Sequence, residues 1–188
     1  MKKVFPLSKV YSLLESGPVI MVSTAWKGKQ NVMTMSWHSM IDFSPPLVGC
    51  VISDQSLTFR ILKASKECVI NIPTREIAGK AIACGNVSGS QVDKFAKFKL
   101  TPVKSSRVKA PQVKECYASL ECRLHDARLA AKYNLFIFKV LKAWVDPAVK
   151  HPATFHHRGG PSFFIAGKSV TLKALTSRMV HSEDLLWD

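Results

Sequence analysis

The chain has 188 residues, 47% of them hydrophobic, which suits one domain with its own core. Its mean hydropathy is +0.06, and no apolar run reaches the roughly 18 residues a membrane-crossing helix needs, so a helical membrane protein is excluded. Twenty-seven Lys and Arg against 13 Asp and Glu give a formal charge of +14, scattered from Lys2 to Arg178 with no dense block, which reads as a solvated basic surface rather than a basic tail.

The start, Met1 to Pro6, has charge but no apolar segment behind it, so it is not a signal peptide and a cytoplasmic protein is expected. Five cysteines agree with a reducing compartment: the number is odd and no pair has CxxC spacing. Cys50, Cys68 and Cys122 sit in apolar strand patterns and read as buried free thiols.

Leu7 to Ser16 has apolar residues at helical spacing, with Gly17 and Pro18 to end it, and predicts a short amphipathic helix. Pro18 to Thr24 is apolar and β-branched and reads as a buried strand. Lys27-Gly28-Lys29-Gln30 is a hairpin turn. Asn31 to Ser39 alternates and reads as a second strand, carrying Asn31, Thr34 and Ser36 on an otherwise apolar sheet, where polar groups need partners. Ser44-Pro45-Pro46 stops it, since proline cannot donate to a ladder.

Leu47 to Ser53 predicts a central strand. A helix follows from Leu57 to Ser65, and its start, with hydroxyls at Ser53, Ser56 and Thr58, can receive an anion. Glu67 to Ile72 is a strand and Thr74 to Cys84 a helix capped by Thr74 and ended by Gly85. Asn86 to Lys97 is polar and turn-rich, and Lys99 to Pro111 is a basic connection. Tyr117 to Leu129 alternates, Tyr133 to Val145 is long and apolar, and the polar turn between them predicts an antiparallel pair. Asp146 to Pro161 reads as a loop. Its His151, His156 and His157 lack acidic or cysteine partners at ligand spacing, which argues against a metal site. A last hairpin is expected between Phe163–Ala166 and Ser169–Leu175 around Gly167-Lys168, and residues 177–188 form a tail.

Strands dominate and turns join neighbours, so a mainly β fold with a few short helices is expected, a closed or half-closed antiparallel barrel in one domain spanning 1–188. There is no GxGxxG, GxSxG or HExxH, and carboxylates are few and dispersed. Side-chain acid–base or nucleophilic chemistry is therefore poorly supported, whereas redox chemistry on a bound cofactor remains open.

Asn31-Val32-Met33-Thr34-Met35-Ser36-Trp37 followed by Ser44-Pro45-Pro46-Leu47-Val48, then Glu67 to Pro73, then Ser88-Gly89 with Asp93-Lys94-Phe95, resembles the flavin reductase-like FMN-binding split-barrel family, its flavoredoxin branch in particular. The resemblance covers roughly Val10 to Lys142, with a weaker echo near Phe163. It implies an antiparallel Greek-key split barrel that binds FMN, or FAD, and exchanges electrons with NADH or NADPH or with a redox protein partner. On it, Asn31, Met33, Thr34, Met35, Ser36 and Trp37 hold the ring and ribityl chain, and Ser53, Ser56 and Thr58 hold the phosphate. Ser88 and Lys94 come from a covering loop, Tyr133 stands where relatives have a histidine, and Phe163 packs beside the ring. Asp54 stands where many relatives carry a basic residue. The resemblance also implies a homodimer, for which Leu135–Val145 and Phe163-Phe164 are the candidate apolar surfaces. The basic surface suits an anionic flavin phosphate or dinucleotide. Two other readings are a basic β-barrel module for nucleic acid and a pyridoxamine-phosphate-oxidase-like enzyme. Against the first, aromatic residues are not interleaved with Lys and Arg; against the second, no arginine cluster for a substrate phosphate is present.

Overall fold

The computed structural model describes residues 2–10, 14 and 17–170. It opens with strand β1 (Lys3–Phe5) and one 3-10 turn at Leu7–Lys9. Most of the helix predicted over 7–16, the segment 171–175 and the tail 177–188 lie outside the described residues.

Strands β2 (Ile20–Trp26) and β3 (Lys29–Met35) form a hairpin in register from Ile20↔Met35 to Trp26↔Lys29. The turn is only Lys27 and Gly28, at φ 49° and 78°, a mirror-image turn whose twist matches the flanking strands. Lys29 and Gln30, predicted as turn, already belong to β3.

The single strand predicted over Asn31–Ser39 is two. Ser36 and Trp37 leave the ladder and β4 (His38–Phe43) starts afresh, pairing with β5 (Pro46–Val51). With β6 (Glu67–Ile72), β9 (Ala118–Asp126) and β10 (Leu135–Val145), the strand order is β3-β2-β6-β9-β10-β5-β4, with β1 beside β10. The two outermost strands of this order are thus consecutive in the chain. Three peptide steps reach about 11 Å at most, so the sheet has to roll until its ends nearly meet. The seam is closed by Val51 N donating to Trp37 O at 2.9 Å and by His38 Nε2 donating to Pro18 O at 2.7 Å. Alternation alone does not reveal the break, because both halves keep a period of two.

Ile20, Val22, Ile70, Leu120, Phe136 and Phe138 fill the barrel with no exposed surface. Helix α1 (Leu57–Ser65) closes one end. Ser56 caps it, accepting from Phe59 N at 3.1 Å, and Phe59 meets Phe136 edge-on at 5.0 Å. The outer face of β2–β3 is covered by helix α2 (Ala78–Gly85), which buries Ala81 and Cys84 against Met21 and Val32. The helix predicted from Thr74 begins as a 3-10 turn, Arg75–Ile77, and Thr74 makes no side-chain cap. Helix α3 (Lys94–Lys97) and helix α4 (Ala130–Tyr133) are single turns, so Tyr133, predicted to open β10, instead ends a helix.

The connection 99–111 contains strand β7 (Pro102–Val103), paired with β8 (Gln112–Val113). Beneath it lies Glu121, fully buried in β9. Its carboxylate accepts from Trp144 Nε1 at 2.7 Å, Arg107 N at 2.5 Å, Ser106 N at 3.0 Å, Ser106 Oγ at 3.2 Å and Gln112 Nε2 at 3.4 Å. Near it, Lys2 tucks its amine under the fold, donating to Val113 O at 2.9 Å and Ser119 Oγ at 2.5 Å, and burial lowers its pKa to about 8. All five cysteines are buried and free.

The last hairpin pairs β11 (Phe155–Gly159) with β12 (Ser162–Ile165). The predicted hairpin around Gly167-Lys168 is corrected: the turn falls at Gly160-Pro161, inside the predicted loop, where Gly159 (φ 108°) and Gly160 (φ 55°) take conformations that side chains disfavour. No helix among the described residues is long and apolar enough to cross a membrane.

Candidate functional site

A cleft of about 340 Å³ opens where β3 breaks away from the sheet. Thr34, Met35, Ser36 and Trp37 form one wall, and Gly85 and Asn86 at the end of α2 form another. Phe163 and His157 reach over it from the β11–β12 hairpin. Five of the predicted residues therefore converge: Thr34, Met35, Ser36, Trp37 and Phe163. Trp37 is 72% exposed, a large planar group held at the mouth with its surface uncovered. Thr34 Oγ1 donates to Ala81 O at 2.5 Å, so towards the cleft its hydroxyl acts as an acceptor. His38 donates from Nε2 at the adjoining seam, and burial holds its pKa below 6.5. Burial thus disfavours the charged ring, and with Nε2 donating, Nδ1 is a buried ring nitrogen without a partner among the described residues.

The remaining predicted residues are placed around this cleft in different ways. Met33 packs into the barrel core with Met35. Ser53 and Ser56 follow Val51, which lines the cleft, into the start of α1. Ser53 Oγ accepts from Gln55 N at 3.3 Å, and Ser56 keeps its hydroxyl proton free while capping. Thr58 is 1% exposed, and its hydroxyl accepts from Asn31 Nδ2 at 2.9 Å, so this pair braces β3 against α1. Ser88 pairs with Ser90 at 2.7 Å on the exposed loop. Lys94 is turned inward: its amine donates to Cys84 O at 2.8 Å, and burial lowers its pKa. It ties the loop to the end of α2 beside the cleft. Tyr133 is exposed under the Lys132 ammonium at 5.1 Å. The next residue, Asn134, accepts from Ile52 N at 2.9 Å, which sets Tyr133 beside the end of β5.

Two residues were not read from the sequence in these roles. His157, weighed only as a metal ligand, is carried over the cleft by its pairing with Phe163, ring centroids 5.1 Å apart. The Gly159-Gly160-Pro161 turn between two aromatic runs was the signal that would have found it. Gly89 is the other. A Cβ there would lie 1.9 Å from Asn31 Oδ1, so only glycine lets this loop close over the Asn31 amide. Gly89→Ala is expected to push Asn31 off Thr58, lowering stability by about 2–3 kcal/mol through a displaced loop and a broken buried hydrogen bond. Urea unfolding of the variant checks it; an unchanged midpoint would show that the loop yields freely.

The flavin reductase like domain profile matches residues 13–163 of the chain. The chain belongs to the flavin reductase like family. An uncharacterized protein of Archaeoglobus fulgidus is 37% identical over 122 residues, covering 65% of this chain and 69% of the relative. An FMN-binding domain of a flavin reductases-like enzyme from Shewanella baltica superposes with a TM-score of 0.86 at 27% identity, covering 92% of this chain and 97% of that one. Flavoredoxin of Desulfovibrio vulgaris superposes at 0.75 with 24% identity over 86% and 92%, and shares the fold. The fold is thus the mainly β split barrel of these FMN-binding proteins.

Proposed function

We propose that this chain binds FMN in the Thr34–Trp37 cleft and transfers electrons through it from NADH or NADPH. What supports this most is the convergence of the polar strand residues, Trp37 and Phe163 on one cleft in a flavin reductase-like barrel. Bound there, FMN supplies hydride and single-electron chemistry through its own ring. The chain contributes position and surroundings. Thr34 and Ser36 offer hydroxyl oxygens to the polar edge of the ring, and Trp37 and Phe163 shield its faces from water. Ser53 and Ser56, with the free N–H groups at the start of α1, suit the phosphate. Lys94, held on Cys84 O, keeps the loop at the end of α2 in place rather than meeting the phosphate directly. Thr58, closed off by Asn31, acts as a brace in the same way.

Asp54, beside this start, donates nothing to an anion, but its carboxylate accepts from Gln55 Nε2 at 3.2 Å. A second copy of the chain fits the exposed apolar side of β4, where Ile41 and Phe43 are each more than 40% exposed. β10, the other candidate, has both edges paired and offers only its faces.

Titrating FMN into flavin-free protein, followed by NADH and NADPH oxidation, tests the proposal. Thr34→Ala and Ser36→Ala are each expected to weaken FMN by about 1–2 kcal/mol. Unchanged dissociation constants in both would take the flavin out of this cleft. A yellow protein after purification marks a resident cofactor, and colourless protein with reductase activity marks a released one.

A further inference from the structure

A second and larger concavity, about 960 Å³, lies on the far side of Asn31 from the Trp37 cleft, between the β2–β3 tip, α1 and the chain from Gly89 to Pro102. Its size is that of a small-molecule site. The walls are apolar, with Leu57 and Ile61 of α1 facing Phe95 and Leu100. Trp26 stands at the rim, 43% exposed, on the ridge between this cleft and a neighbouring one of about 470 Å³. Lys29 and Lys99 line it with both side chains exposed, and Gln30 brings an amide. Asp93 is the one carboxylate among the lining residues, and it is engaged in capping α3, accepting from Ala96 N at 3.2 Å. The net field at this mouth is therefore positive, beside a planar aromatic surface and an apolar floor. A planar base with attached phosphates matches all three features.

We infer that this cleft binds a phosphorylated nucleoside, with the base against Trp26 and the phosphates on Lys29 and Lys99. Resting on the flavin reading above, the nucleoside is the distal half of the nicotinamide dinucleotide donor. Strand β3 borders both clefts, lending Asn31 to this one and Thr34 to the other. Two lysines favour the donor with the additional phosphate, NADPH.

Calorimetric titration of flavin-free protein with adenosine 2′,5′-bisphosphate, 5′-AMP and inorganic phosphate tests the site. Saturable binding of the bisphosphate is expected, at least tenfold tighter than 5′-AMP. Trp26→Ala and the pair Lys29→Ala with Lys99→Ala are each expected to weaken it at least tenfold, and Trp26→Phe to restore most of the affinity. FMN titration of the same variants is expected to be unchanged, which also shows that they fold. In the lysine pair the KM for NADPH rises and kcat holds. No saturable bisphosphate binding, equal affinity for inorganic phosphate, or full affinity in the variants would overturn the inference. Failure of FMN to bind the unaltered protein would instead remove the flavin reading, and the bisphosphate result would still stand by itself.

Discussion

Glu121→Ala is expected to lower stability by about 3–5 kcal/mol, a fall in Tm of roughly 10–15 °C for a chain of this size. The carboxylate is fully buried and every group facing it is a donor: two backbone N–H groups, the Trp144 indole, the Ser106 hydroxyl and the Gln112 amide. Removing it strands those donors away from water, each at about 1–3 kcal/mol where no water can enter. Glu121→Gln keeps the shape but turns one acceptor into a donor aimed at other donors, so about 1–3 kcal/mol is expected. Thermal unfolding of both variants reads the difference. Equal and small losses would mean that residues 105–112 reach water without unfolding.

The protein is also expected to lose its fold cooperatively in alkali, before about pH 12. Burial raises the thiols of Cys50, Cys68, Cys84 and Cys116 above their ordinary 9.0, Cys84 to about 11 and Cys116 to about 12. Between pH 9 and those values the unfolded chain releases protons that the folded chain retains. Stability therefore falls with rising pH, by about 1.4 kcal/mol per unit for each thiol. Tyr117, raised to about 12, adds to the fall above pH 10. Lys2 works in the opposite direction. Its pKa is lowered to about 8 from 10.5, so the unfolded state binds the additional proton and stability rises across that window. Lys94, also lowered by burial, opposes the thiols in the same way, so two lysines against four thiols leave a net loss of roughly 3 kcal/mol per pH unit above 9, and a stability of about 5–15 kcal/mol is exhausted within a few units. Urea midpoints measured under reductant at pH 8, 9, 10 and 11 follow this. Cys50→Ala with Cys68→Ala is expected to begin lower and to fall much less steeply between pH 9 and 10, because two raised thiols then stand against two lowered lysines. A flat series would mean that the thiols ionise as easily in the barrel as outside it.

Much of this was written in the order of residue types. Apolar β-branched runs located β2, β5, β6, β9 and β10, and the Asn31–Trp37 pattern marked the strand that walls the cleft. The break at Ser36-Trp37 was not legible, because a change of sheet edge leaves a two-residue period intact. The inward turn of Lys94, expected on a loop covering the flavin, was not legible for a related reason: nothing in a polar, turn-rich stretch reports that one amine will find the Cys84 carbonyl. The hairpin that brings His157 and Phe163 together was hidden by reading Gly167 as the turn in place of Gly159-Gly160, since both are glycines beside aromatic residues. Which hydroxyls are already spoken for, such as that of Thr58, depends on a partner 27 positions away and emerges only in three dimensions.

β10 pairs with β9 along one side and with β5 and β1 along the other, although it is the last barrel strand among the described residues. During synthesis three earlier strands wait with open edges until residue 145 leaves the ribosome. The interior is assembled late and by long-range pairing, which makes acquisition of the native state slow and leaves the nascent polypeptide dependent on whatever holds those edges apart.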